Sequence, residues 1–386
     1  MRFALPFLFA IACVTASPQF SGELIFPLEH WHNHSSSIVE LPNGDLLVCW
    51  FHGSGERTAD DVLIQAARWN KASGKWTQPF TLADTPGFPE TNPTMFIDSR
   101  RRLFLLWPLI IAHQWETALM KYRISTDYQQ ASGPPRWEFQ DNIVLIPKNI
   151  AARTKEFAGK DAEGTGRRAE YAAKLIEHAN NEYFSRMGWF TRTHPLQLPS
   201  GRILAPMYSD GFSFGIMAIS DDGGYTWSAS EPIVGYGCIQ PSVVRKNDGT
   251  LVAYLRDNGP PPKRAMISYS KDDGVTWTPA QDTDIPNPGS SLEAIRLSNG
   301  HWIMLYNDLE NARHSLVAAV SDDEGVTWKW RRHLDGNPSQ PGKVQYHYPS
   351  VMQAKDGAIH VTYSYFIPEG KSIKHVRFNE DWVRAG

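Results

Sequence analysis

One pattern of residues recurs along the chain and limits what it can fold into. The stretch QYHYPSVMQAKDGAIHVTYSY (345–365) reads as an apolar strand, an Asp-Gly turn and a second strand ending in aromatics, which is the signature of a β-hairpin. The same order of small residue or proline, apolar positions, turn glycine, apolar run and polar exit is repeated at 33–53, 238–259 and 287–308, and more loosely at 192–211. A sixth copy starts at Asn92 if Arg101 stands where the others have glycine. Hairpins recurring at blade-sized intervals predict an all-β chain, a six-bladed β-propeller over residues 20–386. The strand GELIFP (22–27) has no hairpin partner of its own, so IKHVRF (373–378) is expected to take it up and close the ring.

The turn glycine serves as a ruler. Nine residues before it lie Ser35, Arg192, Gln240, Ser291 and Tyr348, with Asn92 nine before Arg101. On the inner strands of a propeller, equivalent positions face the axis at one height, so these side chains are expected to form a polar mouth. The alternative is that they only cap strand ends.

Composition narrows the function classes. A net charge of −3 offers no electrostatic basis for nucleic-acid binding, and an anionic ligand would have to be held by local arginines. Met1–Ser17 carries one arginine, an apolar run too short to span a bilayer and the small-residue tripeptide 14–16, which reads as a signal peptide over 1–16 and a secreted or periplasmic product. No later run is apolar and long enough for membrane insertion. Past the signal only Cys49 and Cys238 remain, in apolar contexts that suit core thiols, and neither a zinc-ligand spacing nor any cofactor signature is present. Residues 150–187, rich in Ala, Glu, Lys and Arg, predict a helical insertion that serves either as a lid over the mouth or as a surface ornament.

Three segments, SDDGGYTW (220–227), SKDDGVTW (270–277) and SDDEGVTW (321–328), share Ser-x-Asp-x-Gly-x-Thr-Trp at intervals of about fifty residues, one per blade. Ser and Asp side chains that bond turn amides, a glycine at positive φ and a buried Trp make a stapled turn, so these carboxylates are structural rather than catalytic or metal-binding. The repeat resembles the Asp-box of the sialidase superfamily. Together with HYPSV, IQPSVV, NPGSSLE and YNDLENAR, the chain resembles the BNR-repeat, predicted-neuraminidase group of bacterial proteins.

That resemblance implies an acidic glycan or oligosaccharide as substrate and a set of site residues. Sialidases hold the sugar carboxylate with three arginines and use a tyrosine nucleophile, a glutamate that activates it and an aspartate as acid/base. By motif, Tyr348 falls at the nucleophile, and Arg256 and Arg313 at the second and third arginines. Two positions depart from the pattern: His34 stands where the first arginine belongs, and Gln240 where the glutamate belongs. An amide cannot take a proton from a phenol of ordinary pKa about 10. The acid/base aspartate is expected at Asp60 or Asp61. Arg192 is an extra cation that either opens into the mouth or bonds a neighbouring blade's carbonyl. His34 is a hydrogen-bonding residue or a proton shuttle, and His347 shares its register. Three functions follow from the resemblance: an exo-acting sialidase-like hydrolase, a polysaccharide lyase on uronic-acid glycans, or a non-catalytic acidic-sugar-binding propeller.

Overall fold

The recurring hairpins form the two inner strands of successive antiparallel sheets. In the computed structural model, which describes residues 19–386, six sheets follow one another around an axis. The expected signal peptide at 1–16 lies outside the described residues. The hairpin strands are His32–Glu40 with Leu46–Gly53, Thr94–Ile97 with Leu103–Ile110, Cys238–Arg245 with Leu251–Asp257, Glu293–Arg296 with Trp302–Tyr306, and Gln345–Gln353 with Ile359–Ile367. In the third blade the first strand is broken into Phe190–Thr191 and Leu196–Gln197, both paired with Ile203–Ser209, which accounts for the looser repeat there. Inner strands of neighbouring sheets touch one another around the axis.

Closure follows the expectation, with the first strand displaced by two residues. Phe20–Leu24 pairs with Gly370–Phe378, in the register Gly22 to Val376, so the sixth blade joins both ends of the described chain. Because no sheet edge at the seam is left between the first and last blades, closure removes the edge an open ring would expose.

Apolar residues pack between blades. Leu47, Cys49 and Phe51 of the first blade meet Met95, Leu105 and Trp107 of the second, and Ile303, Leu305 and Leu316 of the fifth meet Val351, Val361 and Tyr363 of the sixth. The three Asp-boxes are stapled turns, as read. Asp222 accepts from Ser220 Oγ at 2.8 Å, Thr226 N at 3.0 Å and Thr226 Oγ1 at 2.7 Å, and Asp272 and Asp323 repeat the set. Of the three tryptophans only Trp277 is fully buried, while Trp227 and Trp328 are half-buried.

The insertion is helical: α1 (Ile150–Ala162), α2 (Arg167–Ala179) and α3 (Glu182–Arg186). Ile150, Leu175 and Ala179 join the core of the third blade around Phe212 and Phe214, and the Phe157 ring lies 4.8 Å from that of Tyr236. None of residues 150–187 lines the axial cavity described below. No helix among the described residues is long and apolar enough to cross a membrane.

Candidate functional site

The ruler position coincides with a backbone irregularity. Ser35, Asn92, Gln240 and Tyr348 have φ of 58°, 40°, 52° and 52°, and the strand register slips between His34 and Ser37, Ile239 and Ser242, and His347 and Ser350. A β-bulge with a non-glycine residue in the left-handed region re-aims one side chain and costs energy, so its recurrence at one height marks a built feature. Proline follows at Pro93, Pro241 and Pro349, where the interrupted ladder asks for no N–H. Arg101, at φ 61°, does take the place of the turn glycine.

These bulges surround a cavity of about 310 Å³. His34 and Tyr348 reach it from first strands, Asn92 from just before one, Tyr208 and Arg256 from second strands, Trp115 from a short 3-10 helix, and Glu56, Asp210 and Asn258 from the loops. A hollow of about 330 Å³ beside His194 and one of about 570 Å³ beside Arg377 are larger, but neither brings a phenol and a guanidinium together.

Tyr348 is the hub. Arg256 Nη1 donates to its Oη at 2.7 Å and Gln240 Nε2 at 3.3 Å. The guanidinium carbons of Arg192, Arg256 and Arg313 lie 5.0, 6.0 and 6.0 Å from its ring centroid, so the three cations do converge on the phenol. Gln240 Nε2 also donates to Tyr208 Oη at 3.0 Å, which takes a further bond from Asn92 Nδ2 at 3.1 Å. His34 lies against the Tyr348 ring, centroids 4.4 Å apart, with its Nδ1 2.8 Å from Ser364 Oγ.

The electrostatics are those of a buried pocket that holds both a guanidinium and carboxylates. Burial, with the nearby His347, His32, Arg313 and Arg192, holds the His34 pKa well below its usual value, so the ring is neutral. His347 is depressed in the same way by burial and Arg313, and its Nδ1 accepts from Arg313 Nη1 at 2.7 Å. Burial raises the Asp210 carboxyl against the pull of Arg256. Burial also works to raise Glu56, but the hydrogen bond and charge of His32 outweigh it and the net shift is downward.

Several expected site residues stand elsewhere. Arg192 takes the second of the two places open to it: it is buried, donating to Pro349 O at 3.0 Å and Ser36 O at 3.4 Å, and it underlies Tyr348 instead of opening into the cavity. The carbonyls that receive it are the ones turned out of the ladder by the bulges. Asp60 and Asp61 do not line the cavity; Asp60 accepts from His113 at 2.5 Å and Asp61 from Ser54 N and Oγ at 3.0 and 2.8 Å. Arg313 and His347 stand behind the lining residues, the Arg313 Nη2 bound to Gly289 O at 2.6 Å.

Tyr208, Asp210, Trp115 and Asn258 are lining residues that the sequence reading missed. A second ruler mark would have found part of the set. Seven residues after the turn glycine lie Phe51, Tyr208, Arg256, Asn307 and Ser364, of which Tyr208 and Arg256 line the cavity and Phe51 and Ser364 hold His34.

A profile of the BNR repeat-like domain matches residues 44–154 and 166–361, most of the chain. The chain belongs to this family. The BNR repeat-like chain also resembles a sialidase of Clostridium perfringens, 31% identical over 140 residues that take in 31% of this chain and 35% of that protein. It spans about a third of the length of the relatives it matches. Among solved structures it superposes on a protein of unknown function from Dyadobacter fermentans with a TM-score of 0.68 and 17% identity, covering 93% of this chain and 97% of that one. A leech intramolecular trans-sialidase, solved with 2,7-anhydro-Neu5Ac, gives a TM-score of 0.70 at 15% identity, with 96% of this chain and 71% of that one covered. At such identities the superpositions show a shared fold, the sialidase propeller.

Proposed function

We propose that this protein is a sialidase-like exo-glycoside hydrolase that removes a terminal acidic sugar at the axial cavity. The observation that carries the reading is the 2.7 Å contact between Arg256 Nη1 and Tyr348 Oη on the cavity wall, with Arg313 close behind. A guanidinium at that place can hold a sugar carboxylate and stabilise the phenolate of Tyr348, which forms when its proton passes to water and loses its charge as the oxygen bonds the anomeric carbon. A phenol suits such a centre better than a carboxylate, which would be repelled by the sugar's own charge. The reading of residues 1–16 as an export signal supports extracellular or periplasmic glycans as the substrate.

A second reading, elimination on a uronic-acid glycan, is favoured by one observation: position 240 holds an amide that donates to Tyr348 and cannot take its proton. Elimination needs no glutamate-activated nucleophile, because cations on the uronate make its α-proton easier to remove. Chromogenic sialic-acid ketosides and uronate oligosaccharides, assayed for free sugar and for the ultraviolet absorbance of an unsaturated uronate, separate the two. Binding of acidic sugars without either product would leave a lectin-like propeller.

A further inference from the structure

The turn glycine marks a third height, on the reverse face of the ring. Four residues before it stand Glu40, Gln197, Arg245, Arg296 and Gln353, with Ile97 four before Arg101. At three of these positions the side chain accepts from a backbone N–H in the turn of the preceding blade: Gln197 from Ser99 at 2.7 Å, Gln353 from Ser298 at 2.7 Å and Glu40 from Lys355 at 2.9 Å. Each of those N–H groups lies two residues before its own turn position, so one bond repeats around the ring and joins blade to blade. Blades four and five break the pattern with arginines, which cannot accept. The turn before Arg245 has Pro199 in that place and offers no N–H, and in the turn before Arg296 the Asn247 N–H goes to Glu324 at 2.7 Å. The Arg296 guanidinium donates only to the neutral Asn247 Oδ1, at 2.7 Å. The Arg245 guanidinium has no hydrogen-bond partner among the described residues, and its Nε is buried.

Both arginines line the hollow of about 330 Å³ beside His194, which lies where the first strand of the third blade is interrupted between Thr191 and Leu196. Its walls include Pro195, Leu196, Val243, Val244, Ala294 and Ile295. The one carboxylate in the lining, Glu293, is already taken by His194 and Val351, so the charges left free there are the two guanidiniums. We propose that this hollow is a second binding site, for a small organic acid whose apolar body lies on the proline and aliphatic walls and whose carboxylate bridges Arg245 and Arg296. A largely apolar concavity of this volume with a few convergent polar groups has the size and character of a small-molecule site. A guanidinium recognises a carboxylate by charge and by its paired N–H donors, and Arg245 and Arg296 hold donors and charge that no group of the chain neutralises. Arg245 is half-buried and Arg296 exposed, so the attraction weakens with added salt. The hollow shares no lining residue with the axial cavity, and the proposal stands whatever that cavity binds.

The test uses 3-phenylpropanoate as the probe and protein with ¹³C-labelled Leu, Val and Ile methyls. The acid is expected to shift the methyl resonances of Leu196, Val243, Val244 and Ile295 and to saturate with a Kd of about 1 mM or tighter. Two controls divide the recognition: 3-phenylpropanamide keeps the shape without the charge, and inorganic phosphate keeps the charge without the body. Each should bind at least about tenfold more weakly than the acid. Arg245→Ala and Arg296→Ala should each weaken the acid by about tenfold at unchanged melting temperature, because neither side chain holds an ion pair in the fold. Absence of saturable shifts at these four residues overturns the proposal. So does amide that binds as tightly as acid, which would make the hollow an apolar crevice, or phosphate that does so, which would make it a site for a bare anion. Acid binding that survives both arginine variants overturns the assignment of the carboxylate. The comparison of acid with amide needs no variant, so it decides the charge argument even where a substitution unfolds the chain.

Discussion

The Asp-box turns and the axial mouth are both crowded with polar side chains, and they differ in how those groups are satisfied. In the box at 270–277, Asp272 takes the Ser270 hydroxyl at 2.8 Å, the Thr276 amide at 2.9 Å and the Thr276 hydroxyl at 2.6 Å, all within four residues of itself. At the mouth, Gln240 bonds residues 32 and 108 positions away, and His34 meets Ser364 across 330. The box has used its hydrogen-bonding capacity on its own turn. The mouth's bonds run between blades, and its phenols, guanidinium and carboxylates still face a cavity. Chemistry needs groups that face open space, so the denser cluster of carboxylates reads as scaffold and the sparser set of phenols and guanidiniums as the candidate site.

The largest expected effect sets the two regions apart most sharply. Tyr348→Phe should lower turnover of an acidic glycoside by about 10²- to 10⁴-fold with the melting temperature held. Loss of stability on the scale of a core change, with turnover per folded molecule intact, would make the mouth another staple.

Between the regions, on the axis, sits a third kind of polar group. The buried carboxylate of Glu293 accepts from His194 N at 2.7 Å, His194 Nδ1 at 2.9 Å and Val351 N at 2.8 Å, tying the third, fifth and sixth blades together. Glu293→Gln leaves a buried imidazolium unpaired and should cost about 3–5 kcal/mol in denaturant unfolding. Burial opposes the His194 charge, but Glu293 and the Ile38 carbonyl outweigh it and raise the pKa above 6.5; burial opposes the Glu293 charge too, and His194 with Arg192 outweighs it, lowering the pKa below 4.5. Stability from His194 is therefore complete below pH 6.5 and lost as pH rises through its raised pKa, while that from Glu293 is present above pH 4.5 and lost on acidification. Denaturant midpoints measured from pH 4 to 9 should show the alkaline limb in wild type and lack it in His194→Gln.

Smaller effects belong to the boxes. A Cβ at Gly224, where φ is 90°, would stand 2.5 Å from Phe104 Cε1 of the preceding blade, so Gly224→Ala should lower stability by about 1–3 kcal/mol. Ser270→Ala, which removes the hydroxyl that Gly274 N donates to at 3.0 Å, should cost about 1 kcal/mol. Neither should change binding of an acidic sugar to the folded protein, and a change larger than the stability loss explains would join the two regions into one.

How much was legible follows the same division. The ruler marks the positive-φ positions Ser35, Asn92, Gln240 and Tyr348 because a hairpin repeat carries its irregularity at a constant distance from its turn, and a constant distance can be read without coordinates. The insertion was legible from its alanine-rich helical spacing, but which face of the ring it covers was not, since that depends on Phe212 and Tyr236 arriving from the third and fourth blades. Asp60 and Asp61 stood in the expected loop, yet a loop's spacing does not say which carboxylate turns inward, and there it is Glu56 that lines the cavity.

From the residues alone came the fold: hairpin period, blade number, closure by the first strand and the three staples, all set by contacts within a few residues or by a repeat. Tertiary structure alone decided that Arg192 spends its guanidinium on two carbonyls, and that the Gln240 amide points its nitrogen at two phenols. The direction of a hydrogen bond is a property of both partners, and here the partners come from different blades.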